Sequence, residues 1–559
     1  MRRLFTLFML AFVAMSCEEL QDFIDPKGHG LVFLEGEMKA YFDDKGDTKN
    51  YKFNADLAWR AEVSADWVEV NPTSGPAGEN KIQIKVDKNK SDEKRTGYVD
   101  ITLSNDKSYR IELEQLASGE NLDDVIPSIS IPSNEIWYTN GNTTEPTTPD
   151  NTDVFGANIV SNTFDAKKEC WVIKFDGDVT IIGDNAFWGC SSLTSITIPD
   201  SVTSIGFGAF SNCYSLTCIT IPGSVTTIGE VAFSWCEGLT SVTIGDSVTT
   251  IEDGAFAACV SLIEFNGKFA SDNGRCLIID GTLTSFAPAG LTEYTIPNSV
   301  TTIGDSAFSW CEGLTSVTIG DSVTAIGCYA FAYCSSLTEF NGKFASEDGR
   351  CLIVDGVLNS FAPAGLTEYT IPDSVTTIGG GAFYGCSSLT SVTIGDSVTV
   401  IGDYAFFGCN SLTSVTIPDS VTTIGDYAFY YCSSLTSVTI GDSVATIGNG
   451  AFRDCSSLTS VTIGDSVTTI GDCAFYGCSS LTSITIPGSV TTIRSWAFGD
   501  CSNLTSVYCK ATTPSTGGFW LFDNNASGRT IYVPMESVEA YKSAEGWSDY
   551  ADAIVGYDF

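Results

Sequence analysis

The sequence predicts a mainly β chain in which an all-β sandwich precedes a solenoid of 23-residue coils, each made of short parallel strands and a short helical turn. Three observations carry this. The phrase "NSLTSVTIPDSVTTIGDYAFYYC" at 410 to 432 is followed at once by "SSLTSVTIGDSVATIGNGAFRDC", and a period in the twenties marks a stacked repeat whose single coil cannot bury its own apolar face. Inside the phrase, Val415-Thr416-Ile417 alternates apolar and polar with period two, as a strand with one buried face does. Ahead of the repeats, "WVEV", "KIQIKV", "GYVDITL" and "YRIELEQL" are short alternating runs separated by polar turns.

A cysteine closes each coil and sets the ruler. It falls at Cys190, Cys213, Cys236 and Cys259, then Cys311 and Cys334, then Cys386, Cys409, Cys432, Cys455, Cys478 and Cys501, in steps of 23 residues except two of 52. Each long step holds 29 extra residues, at 266–294 and 341–369, so that 237–311 and 312–386 are near copies of one 75-residue unit. In the 410–432 coil Leu412, Val415 and Ile417 point inward while Ser414 and Thr416 face out. Pro418-Asp419 makes a turn, Val421 and Ile424 form a second inward pair, and Gly425 ends the extended run. Asp426 is placed to cap a helical turn carrying Ala428, Phe429 and Cys432 on one face, with Phe429 as the core plug. Coils stacked at about 4.8 Å would make a dozen of them roughly 60 Å long, a rod with flat sides.

The pattern "IGxxAFxxCxxLTSVTIPxSVTT" resembles the 23-residue bacterial leucine-rich repeat of the BspA-like type, over about 180 to 507. The asparagine position of ordinary leucine-rich repeats holds Ser420 here, so no asparagine ladder is expected. The solenoid is bounded at 154–507, and "VPMESVEAYKSAEGWSDYADAI" within 508–559 resembles the amphipathic closing cap of these proteins. The resemblance implies a surface interaction protein or adhesin.

The front of the chain is different material. Residues 1–16 read as a secretory signal peptide, with Met1-Arg2-Arg3 before an apolar run too short to span a bilayer. "VAMSC" resembles a lipobox, which makes Cys17 the lipid anchor, 17–29 a lipidated tether, and the membrane a partner only through that anchor; Glu18-Glu19 resembles the tag of surface lipoproteins in Bacteroidetes. The alternative is simple secretion. Residues 30–117 predict the sandwich, immunoglobulin-like in class, and "LAWRAEVSADWVEVNPTSG" with "IELEQLA" resembles a BACON domain, which implies glycan binding. Trp59 and Trp67 sit in the segments that define that module's core pattern and are expected to be packing residues. "DKNKSDEK" from Asp87 spaces oxygen ligands like a calcium loop, but Asp92 replaces the glycine and Tyr98 the glutamate, so it reads as a hairpin turn. Residues 118–153, rich in Thr, Asn and Pro, read as a linker or as the outermost part of the solenoid.

Composition restricts chemistry. Net charge is -40, and from Asp176 to Cys501 the basic residues are Lys268, Arg275, Lys343, Arg350, Arg453 and Arg494, which argues against nucleic acid or anionic lipid as a partner. The single histidine, His29, lies in the tether, so Ser-His and Cys-His catalysis lacks a base in the folded body, and no metal or cofactor is expected. The Asp and Glu residues of the repeats recur at turn positions such as Asp396, Asp419, Asp442 and Asp465, a solvated ladder rather than a differentiated acid-base pair, with calcium binding as its alternative use. The twelve periodic cysteines are expected to be buried, reduced fillers.

The binding surface is sought in the letters that vary. Between "AF" and "C" the copies read Trp188-Gly189, Ser234-Trp235, Ser309-Trp310, Ala332-Tyr333, Tyr384-Gly385, Phe407-Gly408, Tyr430-Tyr431 and Tyr476-Gly477. Tyr384, Phe407 and Tyr430 should align as an aromatic ribbon, interrupted by Arg453 and resumed at Tyr476; the plainer reading is that these rings seal coil packing. Each insert is expected to be a hairpin leaving the solenoid edge around Asp280-Gly281 or its copy, with Lys268, Arg275, Lys343 and Arg350 either meeting an acidic partner or limiting edge pairing. The expected function is non-catalytic: binding of host matrix or cell-surface protein, or capture of glycan for an uptake system.

Overall fold

The structure is a computed structural model that describes residues 31–34, 37–42, 47–55, 57–76, 78–104, 108–118, 131–168 and 170–559. The expected signal peptide, the Cys17 anchor and the tether lie outside the described residues. The described residues fall into two compact units, one within Met1–Gly229, Cys236–Thr250 and Ser261–Gly274, the other made of Glu230–Trp235, Ile251–Val260 and Arg275–Phe559.

In the first unit, two sheets enclose the sandwich core. One runs in the order Leu31–Leu34, Glu37–Phe42, Ser108–Gln115, Arg95–Leu103, Trp59–Val63, Ser74–Gly75; the other in the order Asp47–Ala55, Gly78–Val86, Val68–Asn71. Alternate residues of both, among them Phe42, Trp59, Ile82, Ile84, Val99 and Leu113, form one core cluster. Trp59 is buried in it and Trp67 packs at its margin under the Arg95 guanidinium, 4.3 Å from the ring centre. The segment from Asp87 is not a hairpin turn. It joins Gly78–Val86 in one sheet to Arg95–Leu103 in the other, held by buried Asn89, which donates to the carbonyls of Leu116 (2.8 Å) and Glu93 (3.0 Å).

Part of the stretch between the modules belongs to the repeat structure. Glu135–Thr139 pairs antiparallel with both Cys170–Phe175 and Ser195–Thr197 and so closes the first coils of this unit. Its Glu135 is 7% exposed and ion-paired to Lys174 (3.0 Å) and Lys168 (3.1 Å), with the Trp137 indole donating at 2.7 Å.

The second unit shows the coil most clearly. The Thr-Ile pairs build a nine-stranded sheet that begins with the hairpin Cys351–Val354 and Val357–Phe361, continues parallel through Thr423–Ile424, and ends at Thr516–Gly517. The Ser-Val-Thr-Ile strands form a five-stranded sheet from Glu368–Thr370 to Ser460–Thr462, in which Ser414, Val415, Thr416 and Ile417 face Ser437, Val438, Thr439 and Ile440. Val415 and Ile417 are buried and Ser414 and Thr416 exposed, as the alternation requires. Between the sheets, Phe383, Phe406, Phe429, Phe452, Phe475 and Phe498 stack with centroids 4.8–5.4 Å apart and planes within 10° of parallel.

The segment expected as a helical turn at 426–432 is a run of i+3 to i turns without a regular helix. Tyr430 and Cys432 donate back to Tyr427 and Phe429 (3.0 and 3.2 Å), whereas Tyr427, Phe429 and Tyr431 donate forward to Asn449, Ala451 and Arg453 of the next coil (2.7, 2.7 and 3.1 Å). A helix would point every N–H one way along its axis. Here alternate N–H groups are turned toward the neighbouring coil, and Tyr427 and Tyr431 take positive φ, 54° and 59°, to do it. Asp426 does not cap its own turn: its carboxylate accepts from the Asn449 N–H at 2.7 Å, one coil on.

All twelve coil cysteines are reduced and buried. Cys432 donates its S–H to the Phe406 carbonyl at 3.2 Å, Cys455 to Phe429 and Cys478 to Phe452, and burial pushes these thiols well up.

The inserts are hairpins, but they do not leave the solenoid edge. Asp280 and Gly281 (φ 48° and 79°) turn Cys276–Ile279 into Thr282–Phe286, which then pairs parallel with Thr302–Ile303 as an ordinary member of the ladder. Phe286 fills the plug position, 4.6 Å from Phe308, and Cys276, Leu277 and Leu283 are fully buried. Apolar residues on both arms of the hairpin demanded burial that an edge position could not supply. The carboxyl end is covered by the helix Val538–Ser543 and short turns around it, which bury Tyr541, Trp547 and Ile554.

Glu135 sets a pH-dependent test. Burial alone would raise its pKa, but hydrogen bonds from Trp137, Lys174 and Lys168 outweigh that and hold it below the ordinary 4.5. A depressed carboxylate stabilises the fold above its unfolded pKa and loses that contribution as pH falls through the folded value. Glu135→Gln is therefore expected to cost about 2 kcal/mol at neutral pH. In urea titrations that difference from wild type should shrink as pH is taken below 4.5; a constant difference at all pH values would contradict the assignment.

Candidate interaction surface

Each coil has two outward positions whose backbone must be left-handed: the residue before Ala-Phe and the residue before the cysteine. In the second position Gly385, Gly408 and Gly477 (φ 72°, 68° and 71°) do this at no steric cost. Trp235, Trp310, Tyr333 and Tyr431 occupy the same position with φ 61°, 64°, 57° and 59°. In the first position Tyr329, Tyr404 and Tyr427 (φ 57°, 54° and 54°) stand where Gly381 and Gly450 stand elsewhere. An L-residue with a large side chain pays about 1–2 kcal/mol for that backbone. With Trp496 (φ 57°), which shares the first position, eight aromatic residues accept the strain in places where the repeat itself shows that glycine works.

Their rings meet. Trp235 contacts Trp310 edge-to-face at 4.4 Å, Trp310 stacks on Tyr333 at 3.8 Å, and Tyr333 meets Tyr384 at 5.2 Å. Tyr384 stacks on Phe407 (4.4 Å), Phe407 meets Tyr430 (5.2 Å), and Tyr430 stacks on Tyr431 (4.2 Å). The expected ribbon is thus present as geometry, and it is wider than the sequence suggested. A second row, Tyr329, Tyr404 and Tyr427, runs beside the first, with Tyr329 5.5 Å from Tyr384 and Tyr404 5.0 Å from Tyr427. Arg453 does not interrupt the ribbon: its guanidinium lies 5.5 Å from the Tyr430 ring and 4.9 Å from that of Tyr476, bridging the two. Tyr476 then meets Trp496 at 5.9 Å, and Trp496 meets Trp520 at 5.3 Å.

Trp235, Trp310, Tyr329, Tyr333, Tyr384 and Phe407 line an open groove of about 500 Å³. Two glycines make it possible. A Cβ on Gly381 would collide with the Tyr329 ring and one on Gly385 with the Tyr333 ring, so both tyrosines lie down on the backbone of the next coil. Most belt rings are half-buried against each other, while Tyr431 remains 46% exposed. Burial raises the phenol pKa of Tyr333 and Tyr404, and that of Tyr430 to about 12.

A column of acids borders the groove. Asp305 bonds the N–H of Cys328, next to Tyr329, the Asp403 carbonyl bonds the N–H of Gly381 under the Tyr329 ring, and the charges of Asp305, Asp403 and Asp253 all act on Cys328, although none of the three lines the groove itself. Partial burial first, then the charges of Asp305, Glu230 and Glu252, hold the Asp253 pKa above its ordinary value. Asp305 and Asp403 also serve the backbone, accepting from the N–H groups of Cys328 (2.8 Å) and Asp426 (2.7 Å). The turn acids do likewise: Asp419 accepts from the Asp442 N–H and Asp442 from that of Asp465. Among the described residues no group of three or more His, Cys, Asp or Glu is placed to hold a metal ion.

The remaining expected site residues lie elsewhere. Trp188 is in the first unit, 49% exposed. The hairpin cations hold backbone carbonyls: Lys268 that of Asp246, Lys343 those of Asp321 and Val323, Arg275 those of Ala287 and Ala289, and Arg350 those of Ala362 and Ala364. Tyr329, Tyr404, Tyr427 and Trp496 are not among the expected site residues, although all four share one column directly before "AF".

The BspA type leucine rich repeat region matches at residues 157–272, 283–345, 358–452 and 422–544, and the viral BACON domain at 42–117. The chain belongs to the BspA-type leucine-rich-repeat family. Among solved structures it is similar to a leucine-rich repeat protein from Eubacterium ventriosum, 24% identical over 60% of this chain and 90% of that one (TM-score 0.43). Another from Bacteroides ovatus is 34% identical over 60% and 83% (TM-score 0.32). A leucine rich cell surface protein from Faecalibacterium prausnitzii is 27% identical over 64% and 83% (TM-score 0.30). No curated protein matches the sequence.

If these aromatic residues are kept for something other than stability, removing one at its left-handed position should cost little. Tyr431→Gly loses a stack worth about 1 kcal/mol and relieves a strain of about the same size. Its stability in urea should stay within about 1 kcal/mol of wild type; a loss above about 3 kcal/mol, in the range of core deletions, would make the ring a core residue.

Proposed function

We propose that this chain is a non-catalytic interaction protein of the bacterial cell surface whose aromatic belt binds a protein of the host or of a neighbouring cell. One observation carries the reading: large aromatic residues occupy strained, outward positions in consecutive coils where glycine serves the fold elsewhere. A contiguous aromatic patch with rims of polar residues is what interaction surfaces share. Display at the surface follows from the lipobox-like "VAMSC", with Cys17 as the lipidated residue and the sandwich as spacer. Glycan capture is the rival reading, since the sandwich matches the BACON domain at 42–117, and resemblance to that module implies glycan binding.

The test is the full-length triple variant Tyr384→Ser, Phe407→Ser, Tyr430→Ser, measured against immobilised host matrix protein and against soluble polysaccharide. Loss of protein binding with melting lowered by only a few degrees is expected. For comparison, Phe429→Ala, which empties a plug position, should cost about 3–5 kcal/mol. Retained protein binding, or binding to polysaccharide alone, would overturn the proposal.

A further inference from the structure

The belt already holds one cation, and that cation shows what the groove is built to take. Arg453 lies over Tyr476 and near Tyr430, with its Nε 3.4 Å from the Asp454 carboxylate: a guanidinium on aromatic rings with an acid beside it. The groove formed by Trp235, Trp310, Tyr329 and Tyr333 offers the aromatic rings, and the acids stand in the adjoining column outside its lining: Asp305 accepts from the N–H of Cys328, next to Tyr329, and the Asp403 carbonyl from the N–H of Gly381, on which the Tyr329 ring lies. None of its lining residues is basic. The basic residues of both inserts are committed to backbone carbonyls. The protein as a whole, at -40, draws cations in and repels polyanions.

We propose that the groove binds arginine side chains of an extended basic polypeptide, each guanidinium stacking on the rings and pairing with the acids of the bordering column. The proposal rests on the reading of the belt as the binding surface and names its partner's chemistry. Arginine fits better than lysine because its planar, weakly hydrated head stacks on aromatic faces and still presents donors to a carboxylate. A polypeptide fits better than a free amino acid because the rings continue from Tyr384 and Phe407 in the groove wall to Tyr430 and Tyr431 beyond it, so that successive side chains of an extended segment find successive rings. A neutral glycan would use the rings but leave the acids of the column without a counter-charge.

The test uses the full chain and a fluorescent peptide of alternating arginine and serine, titrated by anisotropy at physiological salt. The controls are the same peptide with citrulline for arginine, which keeps the shape and removes the charge, and a neutral β-glucan hexasaccharide as competitor. The arginine peptide should bind about tenfold or more tightly than the citrulline peptide, and the hexasaccharide should not displace it. Trp310→Ser with Tyr333→Ser leaves the net charge unchanged and should weaken binding about tenfold. Asp253→Asn with Asp305→Asn and Asp403→Asn should also weaken it, and that variant is expected to fold, because Asn449 fills the same column while keeping both ladder hydrogen bonds, 2.7 Å to Asp426 and 2.9 Å from Asp472.

Equal binding of the arginine and citrulline peptides, displacement by the hexasaccharide, or undiminished binding by the tryptophan-tyrosine variant would overturn the proposal. The last would reduce the effect to diffuse charge. If the arginine peptide fails while the Tyr384, Phe407 and Tyr430 variant still loses host protein, the belt stands as the binding surface and only the arginine assignment falls. If neither variant affects either ligand, the belt itself is not the site.

Discussion

Everything in the repeat region depends on one constraint: backbone hydrogen bonds tie each coil to the next at the spacing of neighbouring β-strands, about 4.8 Å. Three sets of these bonds run from coil to coil, through the Ser-Val-Thr-Ile strands, through the Thr-Ile pairs, and through the turn that carries the plug. With a 23-residue period in register, every residue stacks on its own counterpart. A residue type is therefore acceptable only if it tolerates a copy of itself about 5 Å away. Phenylalanine does so by face-to-face offset stacking, cysteine by passing an S–H to the previous coil's carbonyl, and threonine by bonding its hydroxyl to the threonine carbonyl one coil back, as Thr436 does to Thr413 at 2.9 Å. Aspartate should fail this criterion through like-charge repulsion. It survives where the carboxylate accepts the backbone N–H of the coil above, as those of Asp403, Asp426 and Asp472 do, and Asn449 dilutes the charge midway along the column.

The same constraint turns a sequence column into a surface. Positions that face outward inherit the coil spacing, so aromatic residues placed there are brought to stacking distance with no further design. Part of the belt also differs from the core in the backbone beneath it, although Tyr384, Phe407, Tyr430 and Tyr476 do not. Phe383 to Phe498 sit on unstrained residues inside, whereas Trp235, Trp310, Tyr333 and Tyr431 sit at left-handed positions outside, where glycine and aspartate serve other coils. Arg453, held between Tyr430 and Tyr476 beside Asp454, shows the chemistry such a surface supports.

Much of this was legible in the sequence because periodicity reports burial directly. Alternation in Ser414–Ile417, the Phe429 plug, the buried Cys432 and the alignment of Tyr384, Phe407 and Tyr430 all follow from counting. Backbone handedness did not follow, since nothing in "GDYAFYYC" says that two of its tyrosines need positive φ; only the glycines at matching places in sister copies carry that signal. An edge position for the hairpins is what their Asp-Gly turns, a local signal, suggest, whereas the parallel pairing that draws Thr282–Phe286 into the ladder is long-range. The connection after Asp87 is illegible for a similar reason: turn residues mark a reversal without saying which sheet receives the next strand.

The central claim is that invariant positions build the coils and the outward aromatic positions, strained ones among them, bind. Amide hydrogen exchange on the full chain, with and without saturating arginine-serine peptide, tests it most directly. Protection should gather at residues 304–310, 327–334, 379–385 and 402–408, whose turns carry the rings of the groove. Protection confined to the Ser-Thr strands, such as Ser414–Ile417 and Ser437–Ile440, or to the sandwich at 42–117, would contradict it.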